Sequence, residues 1–394
     1  MSLRIALLTY ATKPRGSVIH TLELAQALAE LGHDPCVFAL DKDNQGFHRP
    51  TPFNTCAVPA TPCDRNIDQL IQQRIAEFVT FFQTHPQQYD VYHAQDCLSA
   101  NALAILKQQG RIPHFVRTVH HIEDFQSPYL QDCQEKSIYQ PDRCLCVSHI
   151  WQQVLETDYG IQAHRVINGV SSRFSPQPDG SETALANAYG IQAGPIYLTV
   201  GGIEPRKNSI NLLKAFAQVK QQQPDAQLVI AGGATLFDYQ AYRQDFMALV
   251  KAYDLAHSLV LPGVVPDAAL PALYRLADVF VFPSVQEGWG LVVLEAIASG
   301  LPVITSHQPP FTEFLSEQTA ILVKPEDEDA NCQVSANAIA AAMVSLLDPN
   351  IAQPLIQNSH SIIDQYSWQR SAHMHLDLYH GFSHTPIPTP LQSL

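Results

Sequence analysis

Residues 279–306 read VFVFPSVQEGWGLVVLEAIASGLPVITS, and this stretch leaves the chain few folds. Val279, Phe280, Val281 and Phe282 form a continuous apolar run, the pattern of a strand buried on both faces of a parallel sheet. Residues 283–290 make a loop with two glycines and one acidic side chain. From Leu291 the apolar residues take helical spacing, with Gly300 as a stop and Pro302 just beyond it. Val303, Ile304 and Thr305 read as the next strand. The unit is strand, loop, helix, strand. Its loop falls at the carboxyl end of the strand, where open α/β sheets bind ligands.

The loop carries chemistry. Gly288 and Gly290 remove side chains where backbone can approach a ligand. The amides of Gly290, Leu291 and Val292 stand at a helix N-terminus, where a phosphate finds unpaired donors. Glu287 on the loop and Glu295 one turn into the helix are separated by seven residues and could each grip sugar hydroxyls. A surface glutamate favoured by the helix dipole is the plainer reading of Glu295.

The same unit recurs along the chain. Strands are expected at 4–9, 35–40, 89–94, 113–121, 143–148 and 166–170, and helices at 18–31, 67–82, 99–109 and 150–159. Gly16 opens the first helical turn without a GxGxxG fingerprint. Its lack of a side chain points to backbone passing close to something, or to an ordinary turn. Residues 41–65 read as a long loop; its Asp41-Lys42-Asp43 fits a solvated turn better than a metal site. His120 and His121 end the 113–121 strand, and His120 is placed to meet a substrate. Residues 171–181, rich in Ser, Pro, Gly and Asp, read as a linker.

A second series follows, with strands at 195–200, 226–231, 259–263, 279–282, 303–305 and 319–323. After the first of these come Gly201, Gly202, Arg206 and Lys207. Two adjacent cations behind a diglycine suit a diphosphate, since Arg binds two oxygens at once and Lys acts as a point charge. Helices are expected from Ser209 and at 270–276, 336–347 and 351–379, with a solvated acidic turn at 326–329 and a proline-rich disordered tail at 383–394.

Composition bounds the rest. At 394 residues the chain suits two domains. A net charge of −14 argues against a nucleic-acid partner and against adsorption to anionic membranes. No apolar run reaches the roughly 18 residues of a membrane span, so no transmembrane segment and no membrane association are expected. The eight cysteines lack a CxxC and read as buried free thiols, which fits a cytoplasmic protein.

Taken together, these motifs resemble those of retaining glycosyltransferases of family 4, with the architecture called GT-B. The resemblance covers nearly the whole chain. It is carried by the loop at Gly16, TVH ending at His120, NGVSSRF at 168–174, VGGIEPRKN at 200–208, LPGVVPD at 261–267, and the pair Glu287 and Glu295 within FPSVQEGWGLVVLEAIASGLPVI. PRGSVIHTLELA and QPPFTEFL further resemble a bacterial subfamily associated with nitrilase-linked gene clusters.

The resemblance implies an α/β GT-B fold of two Rossmann-like parallel-sheet domains facing across a cleft. Residues 1–172 would form the acceptor side and 173–365 the nucleotide-sugar side, with 366–394 supplying a helix that crosses back and the tail. It implies a metal-independent hexosyltransferase that moves sugar from a nucleotide diphosphate sugar to an acceptor hydroxyl and needs no cofactor. The acceptor, a small molecule, glycan or lipid, is not readable from the sequence. Arg206 and Lys207 would bind the diphosphate with the amides at Gly290, Leu291 and Val292. Glu295 would hold the ribose, Glu287 the transferred sugar, and His120 would lie by the reacting carbon. Gly16, Gly202 and Gly288 would admit the donor, and Val264 would meet the base. Two features depart from the family: Ser17 follows Gly16, and QPPFTE at 308–313 replaces a Gly-Gly loop that often touches the donor sugar. A non-catalytic scaffold and a sugar-nucleotide epimerase share this fold; both would sit less well with the full set of charged residues.

Overall fold

Strand and helix alternate along the chain because short apolar runs alternate with amphipathic segments, and that alternation builds parallel sheets. The computed structural model describes residues 2–47, 49–63, 66–233, 239–325 and 334–381. The acidic run at 326–329 and the tail at 383–394 lie outside the described residues. The chain divides into two compact units, Met1–Gly169 with Tyr366–Leu394, and Val170–Gln365.

The first unit runs β1 (Arg4–Thr9), α1 (Gly16–Glu30), β2 (Asp34–Asp41), β3 (Asn54–Pro59), α2 (Ile67–Thr84), β4 (Val91–Ala94), α3 (Cys97–Gln108), β5 (Val116–Val119), α4 (Pro128–Tyr139), β6 (Arg143–Cys146), α5 (His149–Tyr159) and β7 (His164–Arg165). Its sheet has the order β3-β2-β1-β4-β5-β6-β7, with parallel pairing throughout. The second unit runs α6 (Glu182–Tyr189), β8 (Ile196–Val200), α7 (Ser209–Gln222), β9 (Gln227–Ala231), α8 (Gln240–Ala252), β10 (Leu259–Gly263), α9 (Leu270–Leu276), β11 (Val279–Phe282), α10 (Leu291–Ala298), β12 (Val303–Ser306), β13 (Ile321–Val323), α11 (Ala336–Ser345) and α12 (Pro349–Gln365). Its sheet order is β10-β9-β8-β11-β12-β13, again parallel. The last helix, α13 (Trp368–Tyr379), belongs to the first unit. Both orders reverse direction beside the first strand of their series, the point at which such sheets leave a ligand crevice.

Local signals account for most boundaries. Asp96 caps α3 through a capping box with Ser99. Gly32 and Gly300 close their helices at φ +85° and +81°. The central strands are buried on both faces: every residue of β11 and β12 is buried, Val279, Phe280 and Val281 completely. Each such side chain contributes about 1.5–3 kcal/mol.

The structure corrects several expectations. The segment 41–65 is not wholly a loop: β3 adds to the sheet edge beside β2, and its short, mostly exposed run of small residues ending in Pro59 carries too little apolar signal to mark it. Asp41 is 4% exposed, and its carboxylate accepts the Gly46 and Asp43 amides, so it shapes a turn. The strand expected at 166–170 is instead His164–Arg165. Helices α4, α6 and α8 are additions to the expected set; α4 starts at Ser127-Pro128, an N-cap followed by proline at the first helical position. The single helix expected at 351–379 is two, because Ser367 accepts the Arg370 amide (3.2 Å) and starts a new helix. The apolar spacing continues through this break, so it hides the stop. The run 171–181 is tethered within the second unit: Arg173 pairs with Asp267, and Arg275 holds Asp179 and Glu182.

Candidate active site

In the second unit, the loops after β8, β9 and β10 meet backbone to backbone. Gly201 N donates to Ala231 O (2.8 Å). A Cβ on Gly232 would lie 2.3 Å from Gly201 O, one on Gly202 2.5 Å from Glu204 Oε1, and one on Gly233 2.6 Å from Val264 Cγ2. Gly202 and Gly232 are therefore demanded by backbone packing, while a Cβ on Gly233 would meet only the exposed Val264 side chain. Val264 is 61% exposed at this edge, open to a flat apolar ligand face.

The turn Pro205–Lys207 then projects both cations towards the loop after β11. Lys207 Nζ and Ser284 Oγ (2.7 Å) both donate to Glu287 Oε1, and Arg206 Nη1 reaches the same oxygen at 3.2 Å. Arg206 Nε also pairs with Glu204 Oε2 (2.9 Å), a carboxylate residue only 3% exposed. Val285 N donates to Arg206 O (2.8 Å), which stitches the two loops together, and Ser284 Oγ lies 2.9 Å from the same carbonyl as its alternative acceptor. Lys207 Nζ lies 4.4 Å from the Phe282 ring centroid, a cation–π contact.

Electrostatics follow from burial. Desolvation opposes the Glu287 charge, but Lys207, Arg206 and the hydrogen bonds from Lys207 and Ser284 outweigh it and hold the carboxyl well below the usual range. Burial is the largest influence on Lys207 and brings its ammonium down to about 8 despite Glu287. Both groups are charged at neutral pH, a preorganised pair that an entering anion can rearrange.

Gly290 caps α10 at φ +105°, and a Cβ there would lie 2.7 Å from Phe311 Cε1. Only glycine meets both conditions. The backbone amides of Leu291 and Val292 open the helix beyond it. Glu295 on α10 is 7% exposed and accepts a hydrogen bond from Tyr274 OH (2.8 Å), so it is no solvated surface glutamate. Gly288 is half-buried between Glu287 and Trp289.

The first unit holds the other expected residues. His120 follows β5, and its Nε2 lies 2.9 Å from Gln95 Oε1. The His20 ring stands edge-on to it with centroids 4.6 Å apart, and His20 in turn meets Trp368 and His375 from α13. His20, His93 and His375 are fully buried. Burial first, then the neighbouring histidines and Arg117, push His120 and His93 well below their usual range, so both rings are neutral. Gly16 begins α1, and a Cβ there would meet nothing within 4 Å. No described atom of the chain requires a glycine at that position, and the space beside it stands open.

The structure thus joins Arg206, Lys207 and Glu287 in one cluster and sets Glu295 on the adjoining helix. Tyr274, Glu204 and the histidines around His120 give no such signal in the sequence. Tyr274 lies in an apolar segment and reads as core. His20, His93 and His375 are scattered over more than 350 residues, and only the fold collects them. Among the described residues, no three His, Cys, Asp or Glu side chains converge as metal ligands.

Comparison with known proteins follows the two units. A model of Glycosyltransferase Family 4 matches residues 14–173, and one of Glycosyl transferases group 1 matches residues 182–342. Mannosylfructose-phosphate synthase of Agrobacterium fabrum is 25% identical over 352 residues, 80% of this chain and 76% of that protein. A GDP-mannose-dependent alpha-(1-6)-phosphatidylinositol monomannoside mannosyltransferase of Mycolicibacterium smegmatis is 28% identical over 209 residues, 50% of this chain and 51% of that one. Among solved structures, sucrose-phosphate synthase of Thermosynechococcus elongatus superposes with a TM-score of 0.78 at 25% identity, covering 96% of this chain and 98% of that one. Anabaena HepE in complex with UDP-glucose superposes with a TM-score of 0.76 at 16% identity, over 96% and 100% of the two chains, a likeness of fold.

Proposed function

Because the chain is a glycosyltransferase of the GT-B fold, assembled from a family 4 domain and a group 1 domain, we propose that it moves a hexose-type sugar from a nucleotide diphosphate sugar to an acceptor hydroxyl, with retention and without a metal. The observation that carries this reading is the convergence of Arg206 and Lys207 on Glu287 beside the amino end of α10. Fixed cations and helix amides aimed at one place stabilise the negative charge that develops on a leaving diphosphate, and such preorganised stabilisation is the main source of rate enhancement open to a site of this kind. The GDP-mannose-dependent relative supports a nucleotide sugar as the donor class.

Arg206 and Lys207 take the diphosphate, with the amides at Gly290, Leu291 and Val292. Glu295, held by Tyr274, takes the ribose hydroxyls, and Glu287 takes hydroxyls of the moving sugar. His120 meets a sugar hydroxyl, Val264 covers the base, and the glycines at 16, 202 and 288 leave room for the donor. The bond from the anomeric carbon to the phosphate oxygen breaks as the acceptor oxygen attacks the same face. The acceptor proton passes to the departing phosphate oxygen, so no second nucleophile is needed. Arg206 and Lys207 supply the positive charge that a metal would otherwise bring. Residues 1–172 would recognise the acceptor, and the loop at 308–313 would tune the choice of sugar. The cysteines of the described residues are thiols joined by no disulfide, which supports a cytoplasmic setting. The assignment to a nitrilase-linked subfamily rests on PRGSVIHTLELA and QPPFTEFL alone.

A thermal-shift panel of UDP, GDP and ADP tests the reading and names the base. A rise in melting temperature with one nucleotide is expected. No response to any of them would overturn it.

A further inference from the structure

One side chain between His93 and His120 has no task in the proposed reaction. Gln95 follows β4, is 1% exposed, and its amide spans both rings: Oε1 lies 2.9 Å from His120 Nε2, and Nε2 lies 3.2 Å from His93 Nε2. Beyond His93 the chain of hydrogen bonds continues, with Thr118 Oγ1 2.8 Å from His93 Nε2 and Tyr379 OH 2.6 Å from His93 Nδ1.

Proton inventory gives this chain a direction. An amide NH2 can only donate and an amide oxygen can only accept. Gln95 Nε2 therefore donates to His93 Nε2, which must be the lone-pair nitrogen, and the Thr118 hydroxyl donates to the same atom. His93 then carries its proton on Nδ1 and donates it to the Tyr379 oxygen. At the other end Gln95 Oε1 requires a donor, so His120 carries its proton on Nε2. Its Nδ1 keeps the lone pair and, among the described residues, makes no hydrogen bond. The titratable groups that face His120 are His20 from α1, His93 from β4, Arg117 from β5 and His375 from α13. None is an anion, and nothing among them draws a second proton onto the ring.

We propose that Gln95 is a positioning residue: it holds His120 in the Nε2–H tautomer, so that Nδ1 meets the ligand as a hydrogen-bond acceptor for a sugar hydroxyl. Tyr379 and Thr118 secure the far end by fixing His93, which ties the last helix of the chain to the state of His120. The inference rests on the reading of His120 as a sugar contact and gives that contact a polarity. A hydroxyl donates to His120, and His120 gives no proton in return. A reversed Gln95 amide would present Nδ1–H instead, which makes the two cases separable by experiment.

The test uses the full chain with 15N-labelled histidine and long-range nitrogen–proton correlation spectra, which distinguish the two tautomers. His120→Asn identifies the signals of His120 among the 17 histidines. The native protein should show a proton on His120 Nε2 and a bare Nδ1. Gln95→Leu should turn His120 into a mixture of tautomers. Gln95→Glu, with acceptor oxygens on both sides, should keep His120 Nε2–H, raise its titration midpoint, and move the His93 proton to Nε2. A native His120 protonated on Nδ1, or a His120 signal unchanged in Gln95→Leu, would overturn the proposal. If Gln95→Leu fails to fold, the native and Gln95→Glu spectra still decide. None of these spectra needs a bound donor, so a failed nucleotide titration would count against the glycosyl-transfer reading and leave the tautomer result standing.

Discussion

Lys207 and Glu287 lie 80 residues apart in sequence and share a hydrogen bond between two side chains only 13% and 11% exposed. Such a pair is worth little as a net contribution to stability, because desolvation offsets most of its attraction. Its value is that each charge is already in place when a ligand arrives. Lys207→Met should lower transfer at least about 100-fold and destabilise the protein by about 1–3 kcal/mol, since the buried carboxylate keeps only Arg206 and Ser284. Adding Glu287→Leu should restore most of the urea midpoint and none of the activity. A single variant of native stability would show that the pair is not desolvated as described.

The lowered Lys207 pKa sets a pH limit on donor binding. Burial brings the ammonium to about 8, so in the ligand-free protein the positive charge is present below that value and lost above it. Affinity for the responding nucleoside diphosphate should fall as pH rises from about 7 to about 9.5, by up to about tenfold per unit beyond the pKa. Lys207→Arg cannot titrate in this range and should flatten the profile. Calorimetric titration across the range would check both curves; a fall of equal steepness in the arginine variant would place the titrating group elsewhere.

Tyr274 is buried, and its hydroxyl donates to Glu295. Tyr274→Phe removes that donor without changing the packing volume much. The proposed ribose contact should loosen, raising the KM for the donor about tenfold while the maximal rate changes little. Steady-state kinetics with the active donor would separate the two parameters. A loss confined to the maximal rate would assign Glu295 to the reaction centre.

The histidines of the first unit should make the protein acid-labile. Burial drives His20 to about 3 and His375 to about 4, with His93 and His120 also well below 6.5. The unfolded chain therefore binds these protons first. Stability is complete above about pH 6.5 and falls as pH drops towards the folded-state values. Replacing His375 with leucine should reduce the slope of unfolding free energy between about pH 6 and pH 5 by about 1.4 kcal/mol per unit. Urea denaturation at several pH values would measure it.

Much of this was legible in the chain. The strands of both sheets announce themselves as short apolar runs, and Arg206, Lys207 and Glu287 stand out because charges after such runs fall at the ligand edge. Elements that owe their existence to pairing were less visible. β3 is short and mostly exposed and forms because β2 offers it a ladder. The break before α13 interrupts no apolar pattern and is set by one serine cap.

The sequence by itself determined the alternation of strand and helix, the parallel sheets that follow from it, and the glycine and charge motifs that end up beyond the strands. These are local properties, fixed by periodicity, caps and turn residues within a few positions. Only the tertiary structure decided which charges meet, which carboxylates are desolvated, and which way the hydrogen bonds run. Glu287 reads as an acid at the ligand edge, but only the fold packs Lys207 and Arg206 against it, and His93, Gln95 and Tyr379 acquire a common role only when distant segments enclose them. Burial and mutual orientation are properties of the packed chain, and they set the charge and tautomer of each group.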